Sequence, residues 1–118
     1  MSHSVQYTEL HTPNPQEATA FYGALFDWQS KTIETPAGPY MEVTNGDGPV
    51  GGIFNRPDGG DPHWLIYITT ADVDASVTRA KELGGSVLQE KQEVPDMGYY
   101  AILEDPHGAI FALWQAKG

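Results

Sequence analysis

Glu9 and His11 stand two residues apart in the run Ser4–His11, and His63 opens a similar run later in the chain. On a strand, alternation sends Tyr7, Glu9 and His11 to one face, and Leu65 and Tyr67 share the matching face of the second run. A carboxylate on the wall of a cleft must be hydrated or paired, and as a general base it would remove a proton alpha to a carbonyl. His11 and His63 carry the nitrogen donors that suit a divalent metal, with Glu9 as a third ligand. A rim position facing water accounts for all three equally well. The second constellation is aromatic: Tyr7, Phe54, Tyr67, Tyr100 and Trp114. Such rings stack on flat or cationic ligands, with phenols adding directional hydrogen bonds, and they also serve simply to fill a core.

Other chemistries are absent. With no cysteine there is no disulfide, thiol nucleophile or thiolate metal site. No Gly-x-Ser-x-Gly nucleophile motif occurs. Gly51-Gly52 and Gly59-Gly60 do not open a helix after a strand, which argues against a phosphate cradle. Gly51-Gly52 reads instead as a bulge or a close approach of backbones.

The elements that position these residues follow one plan read twice. Asn14-Pro15-Gln16-Glu17 combines an N-cap, a proline at the first helical position and an acid at the third, before Ala18, Phe21, Tyr22 and Leu25. Asp72 begins a second helix bearing Val73, Val77, Ala80 and Leu83, closed by Gly84-Gly85. The two signals lie 58 positions apart. Strands are expected at Ser4–His11, Gln29–Glu34, Tyr40–Thr44 and Val50–Asn55, then at His63–Thr70, Ser86–Lys91, Tyr99–Glu104 and Ala109–Gln115. Turn residues separate them, among them Pro36 to Pro39, Asn45 to Gly48 and Asp105-Pro-His-Gly108. Arg56–Pro62 reads as a linker. The fold class is therefore α+β, with two tandem βαβββ units related by a pseudo-twofold axis and their sheets curled around a shared cleft. One domain spans 1–118, its units about 1–58 and 61–118. Leu10 and Ile66 are expected to face the helices.

Sixteen acidic against six basic residues give a formal net charge of −10. That balance disfavours nucleic acid and anionic membranes as partners and suits a cationic ligand or plain solubility. Without a signal-peptide pattern or a long apolar run, the chain is expected to be soluble and cytoplasmic.

Three motifs carry a resemblance. Ala20-Phe-Tyr-Gly-Ala-Leu-Phe-Asp-Trp28, Ala71-Asp-Val-Asp-Ala75 through Lys81-Glu-Leu-Gly-Gly85, and Glu104-Asp-Pro-His-Gly108 resemble the vicinal oxygen chelate superfamily of glyoxalase I, bleomycin-resistance proteins and extradiol dioxygenases. In its metal-dependent members, the first and last strand of each unit supply one ligand each. Carried over, these positions are Tyr7, Leu65 and Ala112, with Phe54 as the partner of Ala112 if the offset of 58 persists. None of Phe54, Leu65 and Ala112 can ligate, and Tyr7 could do so only as a phenolate. The resemblance thus implies a metal-free protein that binds an aromatic or cationic small molecule. Its cleft would be lined by Tyr7, Glu9, Phe54, Leu65, Tyr67, Tyr100, Ala112 and Trp114, and kinship to the drug-sequestering members implies a homodimer. The alternative is a lyase, isomerase or dioxygenase holding a divalent metal on Glu9, His11 and His63. The one catalytic candidate is Glu9, as a general base.

Overall fold

A computed structural model of the chain describes residues 3–35, 38–55 and 61–117. The expected linker therefore lies mostly outside the described residues, as do Gly59-Gly60 and two residues of the first turn. Among the described residues there are eight strands and two helices: β1 Val5–His11, α1 Pro15–Phe26, β2 Gln29–Thr35, β3 Gly38–Thr44, β4 Pro49–Phe54, β5 His63–Thr69, α2 Val73–Glu82, β6 Ser86–Val94, β7 Gly98–Glu104 and β8 Ile110–Ala116. This is an α+β fold built from βαβββ twice. No helix among the described residues is long and apolar enough to cross a membrane.

The chain divides into two compact units, Tyr7–Leu65, and Met1–Gln6 with Ile66–Gly118. The division runs through β1 and β5, because the Thr69 N–H donates to the Ser4 carbonyl at 2.9 Å and holds the start of the chain against the end of β5.

In the Tyr7–Leu65 unit the strands are ordered β2-β3-β4-β1. Asn14 caps α1, its Oδ1 accepting from the Glu17 N–H at 3.3 Å, and Pro15 occupies the first turn where no N–H is needed. Leu10, Met41, Val43 and Ile53 form the core, packed against Ala18, Tyr22, Trp28 and Val50. Trp28 stacks on Tyr22, and Trp64 meets the edge of the same ring.

The second unit repeats this with order β5-β8-β7-β6. Asp72 caps α2, accepting from the Ala75 N–H at 3.1 Å, and Gly84 ends it at φ +98°. Its core is Val73, Ala101, Leu103 and Leu113. Ile66 does not join that core: Leu65 and Tyr67 are buried, whereas Trp64 and Ile66 share the exposed face of β5. The alternation is as expected, but the helix does not cover that position.

The closing turn is tied by one carboxylate. Asp105 Oδ1 accepts from the N–H groups of His107 and Ala109 at 2.8 and 3.0 Å. These bonds, first that from Ala109, hold the Asp105 carboxyl below the usual carboxylate range. A depressed pKa stabilises the fold fully above the unfolded value of about 3.9 and ceases to do so as the pH falls through the lowered value. Asp105→Asn is therefore expected to flatten the loss of Tm as the pH falls below about 4, measured by circular dichroism against the parent.

Candidate functional site

The odd-numbered face of β1 carries a connected polar network. Glu9 and His11 are 8% and 4% exposed. Groups so buried are tolerated only when hydrogen-bonded. His11 Nε2 donates to Glu9 Oε1 at 2.5 Å, and the Tyr40 hydroxyl donates to Glu9 Oε2 at 2.8 Å. Tyr40 has one hydroxyl hydrogen and gives it to Glu9, so the short bond between the Tyr7 and Tyr40 hydroxyls has Tyr7 as donor. The chain of donation runs from Tyr7 through Tyr40 onto Glu9, with His11 converging from the other side.

Burial is the main cause raising the Tyr7 and Tyr40 phenols above their ordinary value, and the negative charge of Glu9 adds to it. A proton held more tightly in the folded state stabilises fully below the unfolded pKa near 10, and that stabilisation is lost as the pH rises beyond it. Tyr7 and Tyr40 are thus expected to ionise above the ordinary tyrosine range in an ultraviolet titration. Tyr7→Phe and Tyr40→Phe should each leave one fewer late-titrating phenol.

Gly52 makes this placement of Tyr40 feasible. A Cβ at position 52 would lie 1.9 Å from the Tyr40 hydroxyl oxygen and 2.2 Å from its Cζ. The space beside Glu9, its register partner on β1, is therefore taken by the phenol reaching over from β3. Phe54 lies opposite Tyr40, with ring centroids 5.6 Å apart. Gly51 answers to the close approach expected of the glycine pair, since its Cβ would meet the Thr8 carbonyl oxygen at 2.0 Å.

His63 approaches His11 edge-on, with centroids 5.2 Å apart. Its Nδ1 lies 2.8 Å from the Asp61 carbonyl, which can only accept, so Nδ1 carries a proton. Glu9, His11 and His63 are thus neighbours. Yet among the described residues no group of three or more His, Asp or Glu side chains is arranged to hold a metal ion.

Of the remaining expected residues, Tyr67, Tyr100, Ala112 and Trp114 fall in the second unit and Leu65 ends the first. Tyr67 pairs with Ala112 across β5 and β8, Tyr100 pairs with Trp114, and the Tyr67 and Tyr100 rings lie 6.4 Å apart. Leu65 and Ala112 are fully buried.

The register also corrects the repeat arithmetic. Glu9 pairs with Gly52 and Tyr67 with Ala112, so the first strands differ by 58 positions and the last by 60. Two register shifts in β6, between Val87 and Gln89 and between Gln89 and Gln92, add the two residues. The counterpart of Ala112 is Gly52, and that of Phe54 is Trp114. The four ligand positions of the metal-dependent relatives thus hold Tyr7, Gly52, Leu65 and Ala112, and a phenol fills the place a side chain at 52 would need. Gly52, Leu65 and Ala112 carry no side-chain atom that ligates a metal.

Tyr40 and Gly52 are the parts of this network that spacing alone missed. Phe54 offered a signal, because a hairpin through Asn45–Gly48 brings Tyr40 against it.

The βαβββ order repeated twice is that of the vicinal oxygen chelate superfamily. Within it, the chain belongs to the glyoxalase-like domain family, whose model matches residues 7–114. It is 38% identical over 109 residues to the putative glyoxylase CFP32 of Mycobacterium bovis, covering 91% of this chain and 42% of that protein. It is 30% identical over 123 residues to the anthracycline biosynthesis protein DauV of a Streptomyces strain, covering 91% and 45%. The chain thus spans less than half the length of these curated relatives. Among solved structures, methylmalonyl-CoA epimerase from Mycobacterium tuberculosis superposes with a TM-score of 0.64 at 11% identity, covering 97% of this chain and 88% of that one. The hypothetical protein BH1468 from Bacillus halodurans superposes with a TM-score of 0.73 at 12% identity, covering 100% and 97%.

Proposed function

We propose that this chain binds a small aromatic or cationic molecule without the metal of its enzymatic relatives. The observation that carries this reading is the replacement of a ligand set by Tyr7, Gly52, Leu65 and Ala112, with Tyr40 seated over Gly52. The rings of Tyr7, Tyr40 and Phe54 gather near the Glu9 carboxylate, and rings beside a negative charge attract organic cations. The net charge of −10 adds long-range attraction for such a ligand. The relationship to DauV is compatible with a flat aromatic ligand. Thermal unfolding in the presence of phenyltrimethylammonium, benzylamine, benzyl alcohol and benzoate tests the reading. The two cations should raise Tm and benzoate should not; no shift with any aromatic or cationic compound would refute it. Saturating ligand at about 100 times Kd stabilises by about 2.7 kcal/mol.

The Glu9–His11 pair supports a second reading, in which Glu9 acts as general base toward a C–H bond alpha to a carbonyl. Exchange of such a proton into deuterated solvent, abolished by Glu9→Gln, would favour it over binding alone.

A further inference from the structure

We propose that the Asn45-Gly46 step, in the turn between β3 and β4, is a self-modification site at which the chain converts its own asparagine to aspartate and isoaspartate, loosening that hairpin. The proposal is independent of the ligand reading. The chain has three asparagines, Asn14, Asn45 and Asn55. Ring closure onto a side-chain amide uses the backbone nitrogen of the next residue as nucleophile. Asn14 precedes Pro15, whose nitrogen has no hydrogen to lose. Asn55 precedes Arg56, and a side chain on the following residue crowds the approach. Asn45 alone precedes a glycine.

The fold leaves that glycine open. Asn45, Gly46 and Asp47 are exposed, and a Cβ built on Gly46 would meet nothing within 4 Å. Gly46 takes φ +94°, so the turn itself calls for the residue that leaves the nitrogen unshielded. Among the described residues no group accepts from the Gly46 N–H. The Asp47 N–H donates to Asn45 Oδ1 at 2.9 Å. That bond turns the amide back over the chain that follows it, and it stabilises the charge that develops on Oδ1 as Cγ is attacked. The Asn45 N–H is held by the Gly48 carbonyl at 3.2 Å, which closes the turn.

In the reaction the Gly46 nitrogen gives up its proton and bonds to Asn45 Cγ. The Cγ–Nδ2 bond breaks, and the amide nitrogen leaves with that proton as ammonia. Water then opens the five-membered ring. Cleavage at Cγ yields aspartate, and cleavage at the main-chain carbonyl of residue 45 yields isoaspartate, whose backbone runs through Cβ and Cγ. Either product adds one negative charge to the −10 of the chain. Isoaspartate also lengthens the main chain of the turn and takes away the side-chain carbonyl that holds Asp47. The β3–β4 ladder already shifts register next to this turn, between Val43 and Thr44, and the same two strands carry Tyr40 and Gly52.

Prolonged incubation of the native chain in mildly alkaline buffer tests this, with ion exchange to separate the acidic species and electron-transfer fragmentation to tell aspartate from isoaspartate. Asn45 should convert at a rate within about tenfold of that in the urea-unfolded chain, a barrier difference of no more than about 1.4 kcal/mol. Asn14 and Asn55 should keep their amides. Asn45→Gln, which would need a six-membered ring, should form no acidic species over the same period. The separated isoaspartyl form should melt below Asn45→Asp, which carries the same charge on an unaltered backbone. Mapping of the wild type decides even where a variant does not fold. A native chain that keeps Asn45 while the unfolded chain converts, acidic species that accumulate equally in Asn45→Gln, or an isoaspartyl form that melts with Asn45→Asp would overturn the proposal.

Discussion

His11→Ala is expected to lower the unfolding free energy by about 3 kcal/mol at neutral pH, because it leaves Glu9 buried and one donor short. The penalty arises from the orphaned partner rather than from the lost bond alone. Removing both groups should therefore cost less than removing His11 alone. Urea denaturation of His11→Ala, Glu9→Gln and the double variant closes the cycle. A coupling above about 1 kcal/mol is expected. A His11→Ala protein within about 0.5 kcal/mol of the parent would mean that the pair is not held as described.

Gly51→Ala should be at least as damaging, at about 3 kcal/mol or more, through a different cause. The added Cβ meets the backbone carbonyl of Thr8, its register partner on β1, at 2.0 Å. A backbone atom in a ladder cannot turn away, so the β1–β4 pair must part. Gly52→Ala makes the informative contrast. The nearest atoms to its Cβ all belong to the Tyr40 side chain, which can swing aside and forfeit its bond to Glu9. The expected cost there is about 1–3 kcal/mol. Tyr40 should then ionise nearer its ordinary range. Thermal melts of the two variants, with the ultraviolet titration of Gly52→Ala, check both statements.

Much of the architecture was legible because local chemistry and global fold agree. Asn14 and Asp72 cap the helices they announce, Gly84 and Gly108 take the positive φ that their turns require, and every expected strand is present within a few residues. The site was legible in part. Alternation along β1 correctly grouped Tyr7, Glu9 and His11, since a period of two survives whatever the strand pairs with. What failed was whatever needed the register between strands. The run Ser86–Val94 gives no sign of its two irregularities, so an offset of 58 was carried into strands where 60 holds. Tyr40 was missed for a related reason: its hydroxyl meets Glu9 only through the β3–β4 pairing, which includes a shift between Val43 and Thr44. Ile66 shows the converse, an apolar residue at the right alternation whose face the helix does not cover.

The proposed reading is that a hydrogen-bonded carboxylate and its phenols take the part that a metal has in the relatives. Isothermal titration with phenyltrimethylammonium, in buffer containing EDTA and again with added zinc, nickel or manganese, tests it most directly. The account predicts the same affinity in all conditions and a loss of about tenfold or more in Glu9→Gln, equivalent to about 1.4 kcal/mol. Binding that vanishes in EDTA and returns with one stoichiometric divalent ion would contradict it.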